Sequence, residues 1–233
     1  MKNKNFNYLK FILICLGSIV LIFIIIFICS FFYSPNKIAS VPSLQNSVKY
    51  KINPGVVSLR QQIEEDYYPT QNNNSPVLGN AKAPVTIYEY ADFSCQYSAQ
   101  MQPIIKNLSK KYNDKIKIVF KDLPSSDGAF IAHVAARCAQ KQNKFWEYND
   151  LLWKNQKDFS EKNLKAIADK LKLNSNDFNS CLVDKNVEDL VNKDITEADN
   201  LGIPGTPHLY INKAEILGVS TEAELEKVIK ENL

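Results

Sequence analysis

Hydrophobic and polar positions divide the chain into three stretches of different character. From Phe11 to Tyr33 no charge interrupts a run dominated by Ile, Leu and Phe. An apolar helix of about 20 residues is long enough to cross the hydrocarbon core of a bilayer. Residues 11–33 are therefore predicted to be a single transmembrane helix, with residues 1–10 ahead of it. Residues 34–75 show little periodicity. Pro, Ser, Asn and Lys mark a tether to about Pro54, Val57 to Asp66 predicts a short leading helix, and an Asn-rich connector runs from Gln71 to Ser75. From residue 76 to 233 the periodicities are those of a folded domain, and its length is enough for one core.

Within that domain Val77-Leu78 predicts a short edge strand ending at Gly79, and Pro84 precedes a strand over Val85–Asp92. A helix is expected from Ser98 to Tyr112, kinked at Pro103 because that residue has no N–H to donate. Ile116, Ile118 and Phe120 alternate with Lys117, Val119 and Lys121, a strand pattern. Strand, helix and strand in this order call for a parallel pair joined by a crossover. A helical block follows over about 126–200. Ala132, Ala135, Cys138 and Ala139 share one face; Phe145, Tyr148 and Leu152 share the next, and Leu164, Ile167, Ala168 and Leu171 recur at helical spacing. Phe178, Cys181 and Leu182 make one further turn, and Val187 to Ala198 a last helix that stops near Gly202. The chain then returns to strands, Pro207–Ile211 and Glu215–Gly218, around Asn212-Lys213. Ser220 or Thr221 caps the final helix, where Glu224 can complete a capping box with Thr221.

Charge adds orientation. Lys2, Lys4 and Lys10 precede the apolar run and only Lys37 lies close behind it, which places the N-terminus in the cytoplasm and the domain outside the cytoplasmic membrane, in the periplasm or beyond. A cleaved signal peptide is the alternative, but the run is long for one, and no small-x-small cleavage site is clear near Ser30 to Ser34. Neither Cys15 nor Cys29 follows a small residue as a lipid-attachment site requires. The formal charge of +3 comes from 28 basic and 25 acidic side chains. They are interspersed, so no basic stripe argues for nucleic acid. With His133 and His208 alone and no paired-cysteine spacing, neither a metal nor a cofactor is expected. Two glycosylation sequons, at Asn73 and Asn107, are short enough to arise by chance and receive no role.

Five cysteines carry the candidate chemistry. Cys15 and Cys29 lie in the apolar run. Cys95, Cys138 and Cys181 lie in a domain expected to face an oxidising compartment, where three make one pair and one odd thiol. Cys138 and Cys181 sit on apolar helix faces and are read either as two buried thiols or as a structural disulfide, the compartment favouring the bridge. Cys95 is the odd thiol. It opens a helix after the strand and turn, beside exposed-looking Gln96 and Tyr97. At a helix start, free N–H groups and aligned peptide dipoles favour an anion, so this thiol should ionise readily.

Several separated segments resemble one family. Ala83-Pro84-Val85 leads into Glu89-Tyr90-Ala91-Asp92-Phe93-Ser94-Cys95. Cys95-Gln96-Tyr97-Ser98 stands where a Cys-x-x-Cys would be, Asn143-Lys144-Phe145-Trp146 falls in the helical block, and Gly202-Ile203-Pro204-Gly205-Thr206-Pro207 precedes the hairpin. Together with the element order they resemble the DsbA-like thiol–disulfide oxidoreductases from about Leu78 to the C-terminus. The resemblance implies an α/β thioredoxin fold with a helical insertion, here preceded by the transmembrane helix. It also implies Cys95 as nucleophile, a cis Pro207 beside it, Thr206 offering backbone groups to an extended substrate, and a buried Glu89 able to exchange protons with the thiol. Lys121 is then a candidate counter-charge for Glu89, since an unpaired buried carboxylate is costly. His208, tempting as a proton carrier, is expected to begin the next strand half buried.

Ser98 changes what this site can do. Its hydroxyl can hydrogen-bond a thiolate but cannot attack a disulfide, so Cys95 and Ser98 store no oxidising equivalent. Three readings stay open. The domain is a monothiol exchange or isomerisation enzyme acting on proteins with cysteines, together with a membrane or soluble redox partner. Alternatively, it is a peptide-binding or chaperone module on the same fold. In the third, it is an engineered trapping variant of a dithiol oxidase.

Overall fold

The computed structural model describes residues 68–233. The transmembrane helix expected at 11–33, the tether and the leading helix lie outside the described residues. Among those described, no helix is long and apolar enough to cross a membrane.

Five strands form one mixed sheet in the order β1-β3-β2-β4-β5. β2 (Val85–Ala91) runs into α1 (Gln96–Tyr112), which returns to β3 (Ile116–Asp122) parallel to β2. β1 (Val77–Gly79) closes one edge antiparallel to β3. A side chain at Gly79 would not fit there: φ is +97°, and a Cβ would lie 2.7 Å from the Ile116 carbonyl oxygen. β4 (His208–Ile211) and β5 (Ala214–Leu217) form the hairpin on the other side, β4 antiparallel to β2. α7 (Glu222–Glu231) follows, with both halves of the Thr221–Glu224 capping box in place. α1 continues through Pro103 to Tyr112 as one helix.

The alternation along the strands decides what faces what. Val85 and Ile87 of β2, Ile116 and Ile118 of β3, and Leu209 and Ile211 of β4 pack against Met101, Ile105 and Leu108 of α1 and Leu225 and Ile229 of α7. The opposite face carries Tyr90 and Tyr210, covered by Ala198 and Leu201.

Between β3 and β4 the insertion contributes α2 (Asp127–Lys141), α3 (Phe145–Lys154), α4 (Glu161–Lys170), α5 (Ser175–Cys181) and α6 (Lys185–Asn200). Their apolar faces form a second core that reaches Phe93 and Phe120 of the sheet domain. Cys138 of α2 and Cys181 of α5 are joined by a disulfide. With a sequence separation of 43, the bridge restrains the unfolded chain by about 4 kcal/mol in the loop-entropy treatment. Ser126, Ser160, Asn174 and Asp184 cap α2, α4, α5 and α6 with side-chain oxygens, each such cap contributing about 1 kcal/mol.

Candidate active site

The end of β2 and the start of α1 enclose a tight turn, Asp92-Phe93-Ser94-Cys95, closed by a bond from the Cys95 N–H to the Asp92 carbonyl at 3.0 Å. Asp92 is buried, and its carboxylate accepts from the Ser94 N–H and hydroxyl at 2.8 and 2.7 Å and from the Ser125 N–H and hydroxyl at 3.1 and 2.5 Å. Burial alone would raise its pKa; the nearby His133 and the bonds from Ser125 and Ser94 outweigh that and hold it well below the usual carboxylate range.

Cys95 is the N-cap residue of α1, with extended backbone, and is the free cysteine among the described residues. As a thiol it makes no capping bond; it donates to the Thr206 carbonyl at 3.3 Å. As a thiolate it meets a different set of partners. Burial opposes ionisation, but the Ser98 N–H, the Thr206 and Ser98 hydroxyls and the Tyr97 N–H together bring the pKa below the ordinary thiol value. Gln96 and Tyr97 are exposed beside it. Thr206 is joined to Pro207 by a cis peptide bond. Cys95, Ser98, Thr206 and Pro207 thus come together at one end of α1. Ser98 itself is fully buried, its hydroxyl loosely accepting the Asp92 N–H at 3.5 Å.

Glu89 lies on the α1-facing side of β2, with Val85 and Ile87, and is fully buried. Its partner is not Lys121. In the parallel register Glu89 opposes Phe120 and Tyr90 opposes Lys121, so alternation turns Lys121 to the other face of the sheet. There Lys121 binds Asp194 at 3.1 Å and Glu197 at 2.6 Å. Glu89 instead accepts from the Gln102 side-chain amide at 2.6 Å, and its second oxygen has no partner among the described residues. Burial pushes the carboxyl up to about 7 against the smaller opposing effect of Gln102. Gln102 follows Ser98 by one helical turn, which places it on the face of α1 that looks onto β2.

His208 is buried rather than half buried, because β4 is flanked by both β2 and β5. Among the described residues its Nδ1 has no partner, and its Nε2, though 2.9 Å from Glu215, is not aligned for a hydrogen bond. Burial pushes its pKa down, Glu215 opposing.

A charged network adjoins the turn, and sequence reading did not find it. His133 of α2 accepts the Phe93 N–H at 3.4 Å through Nε2 and meets Asp122 at 2.6 Å through Nδ1. Arg137, one turn on, binds Asp122 at 2.5 Å and Asp194 at 2.6 Å, and Asp194 binds Lys121. Lys121 and Tyr90 converge on Glu197. Four carboxylates (Asp92, Asp122, Asp194, Glu197) thus face Arg137, Lys121 and His133. Burial opposes the His133 cation, but Asp122 and Asp92 prevail and raise its pKa. The signal was present: His133 and Arg137 recur at i, i+4 in an otherwise Ala-rich helix.

Beside the cis peptide lies a groove of about 330 Å³ lined by Tyr97, Gln100, Thr206, Pro207, Gly218 and Val219. Tyr97 and Val219 are 52% and 44% exposed. No cluster among the described residues could hold a metal ion.

A family model described as thioredoxin matches residues 71–231. The chain belongs to the thioredoxin family. Over 158 residues it is 28% identical to a probable disulfide bond formation protein D of Bacillus cereus, covering 62% of this chain and 71% of that one. It is 33% identical over 147 residues to a Na(+)/H(+) antiporter NhaA 3 of Salinispora tropica; the match takes in 62% of this chain but only 22% of that protein's length. Among solved structures, the thiol-disulfide exchange protein alpha-DsbA2 of Wolbachia pipientis superposes with a TM-score of 0.66 at 22% identity, over 77% of this chain and 99% of that one. That likeness is one of fold. The DsbA-like resemblance drawn from the separated motifs is borne out.

Proposed function

We propose that this protein is a thiol–disulfide oxidoreductase acting on protein cysteines through Cys95, by monothiol exchange or isomerisation. The observation that carries the reading is the placement of Cys95. Its sulfur is accessible at the mouth of α1, bonded to the carbonyl of Thr206, and faced by donors that favour the thiolate. The similarity to the probable disulfide bond formation protein D of Bacillus cereus supports the reaction class. Cys95 thiolate attacks one sulfur of a substrate disulfide, a new S–S bond forms, and the other substrate sulfur leaves as thiolate. A second substrate thiolate then attacks the substrate sulfur of the mixed disulfide and releases Cys95 as thiolate. No net electrons are exchanged, as isomerisation requires. Ser98 cannot take the resolving role, and its hydroxyl steadies the thiolate instead.

The uncharged apolar run at 11–33 and the lysine asymmetry around it support a single-pass protein whose domain lies outside the cytoplasmic membrane. Protease added from outside should release a soluble fragment beginning between Tyr33 and Val57; protection of the whole chain would overturn that orientation. The chemistry is tested by trapping. Full-length protein should form long-lived mixed disulfides at Cys95, lost in Cys95→Ser and shortened in lifetime in Ser98→Cys. The apolar groove also favours a peptide-binding module as a second reading. That reading expects peptide binding to survive Cys95→Ser with no covalent adduct in either form.

A further inference from the structure

The helical insertion reaches the nucleophile through a side chain with no part in the exchange chemistry. Gln156, in the loop after α3, lies 61 residues beyond Cys95. Its amide nitrogen donates to the Phe93 carbonyl at 2.7 Å and to the Cys95 carbonyl at 3.1 Å. The Cys95 carbonyl also accepts the Ala99 N–H at 3.1 Å, the first bond of α1. The Phe93 ring is gripped by the same part of the molecule, 4.6 Å from Trp153 of α3 and 4.4 Å from His133 of α2.

We propose that Gln156 is a positioning residue for Cys95, holding the sulfur where the Tyr97 and Ser98 N–H groups can receive a thiolate. The inference rests on the reading of Cys95 as the reacting thiol. Cys95 has φ −80° and ψ 119°, outside the helical region, while the next residue is helical. Its carbonyl belongs to the peptide plane leading into α1, so fixing that oxygen fixes ψ and the distance from the sulfur to the first free N–H groups. The Phe93 carbonyl, two residues earlier, fixes the other end of the turn. One amide on both oxygens makes the turn a rigid unit referred to the insertion. Donors fixed in advance stabilise a developing anion without reorganisation.

Gln156→Met removes the donor at nearly constant length, and Gln156→Glu sets a carboxylate against the two carbonyls. Ile229→Val, in the core between α7 and the sheet, serves as a mild destabilisation away from the turn. The alkylation rate of Cys95 is measured against pH in the full-length chain, read at the Cys95 peptide, with thermal unfolding in parallel. Both Gln156 variants should raise the alkylation midpoint by about half a pKa unit or more, about a threefold fall in the ionisation constant, the Glu variant the more strongly. Ile229→Val should leave the midpoint unchanged. If Gln156→Glu does not fold, Gln156→Met decides alone. A lower unfolding temperature with an unmoved alkylation midpoint in a wild-type-like low range would make Gln156 merely structural and overturn the proposal. A wild-type midpoint at the ordinary thiol value would instead remove the reading of Cys95 beneath it.

Discussion

The turn that carries Cys95 is held very differently on its two sides. On the side of the insertion, the Phe93 N–H and carbonyl and the Cys95 carbonyl are engaged by His133 and Gln156. Behind them lie the buried charges of Asp122, Arg137, Asp194 and Lys121 and the Cys138–Cys181 bridge. On the side of the cis peptide, Cys95 meets the Thr206 carbonyl, and beyond it lies a groove with exposed Tyr97 and Val219. Leu217 is also 62% exposed on β5. The first side has directional bonds that define a position. The second has apolar surface that defines none and leaves room for another chain. On the proposed reading of Cys95 as the attacking thiol, that division places the nucleophile by its own fold and accepts its target with little demand on sequence.

The largest test of the comparison lies in the buried charges. Arg137→Met leaves Asp122 and Asp194 facing each other without their shared guanidinium. Removing one partner of a buried ion pair costs about 3–5 kcal/mol, so urea unfolding of the full-length chain should show a loss in that range. Adding Asp122→Asn should recover part of it. A loss below about 1 kcal/mol would mean that the insertion side is not held by these charges.

Glu89 sharpens the same contrast through pH. Its folded pKa of about 7 stands above the ordinary 4.5. Below pH 4.5 it is neutral in both states and costs nothing. As pH rises from 4.5 to 7 the unfolded form ionises first, so stability falls through that window and levels off above it, by about 3 kcal/mol. Glu89→Gln has no such loss. The variant should match wild type at pH 4 and exceed it at pH 8, measured by unfolding at both. An equal difference at the two pH values would show that Glu89 is not held neutral by burial.

On the open side the expected effect on stability is smallest. Val219→Ser should change stability by no more than about 0.5 kcal/mol while weakening capture of apolar cysteine peptides by about tenfold, equivalent to about 1.4 kcal/mol. Unchanged capture would place the substrate elsewhere.

Much of this was legible in the chain. Period-two and period-3.6 patterns located the strands and helices, because one buried face per element leaves a periodic trace. Phe145–Lys154 begins and ends where the pattern places it, and the Thr221 cap needed only its local sequence. Cys95 at the mouth of α1 and the Thr206-Pro207 turn were readable from the strand–turn–helix order and the loop motif. What escaped depended on tertiary register. Lys121 was matched to Glu89 because a buried carboxylate calls for a counter-charge, yet the parallel register sends the two side chains to opposite faces of the sheet. Gln102 lies under Glu89 only because α1 returns over β2. Gln156 carries no sequence signal at all: one amide in a loop meets Cys95 only after α2 and α3 have docked.

The most direct measurement is the alkylation rate of Cys95 against pH in the full-length chain, read at its own peptide by mass spectrometry. A thiolate received by the N–H groups of Ser98 and Tyr97 and the hydroxyls of Thr206 and Ser98 gives a midpoint well below the ordinary thiol value of about 8.5. A midpoint at or above that value would contradict the account, leaving Cys95 an unactivated thiol at the end of a helix.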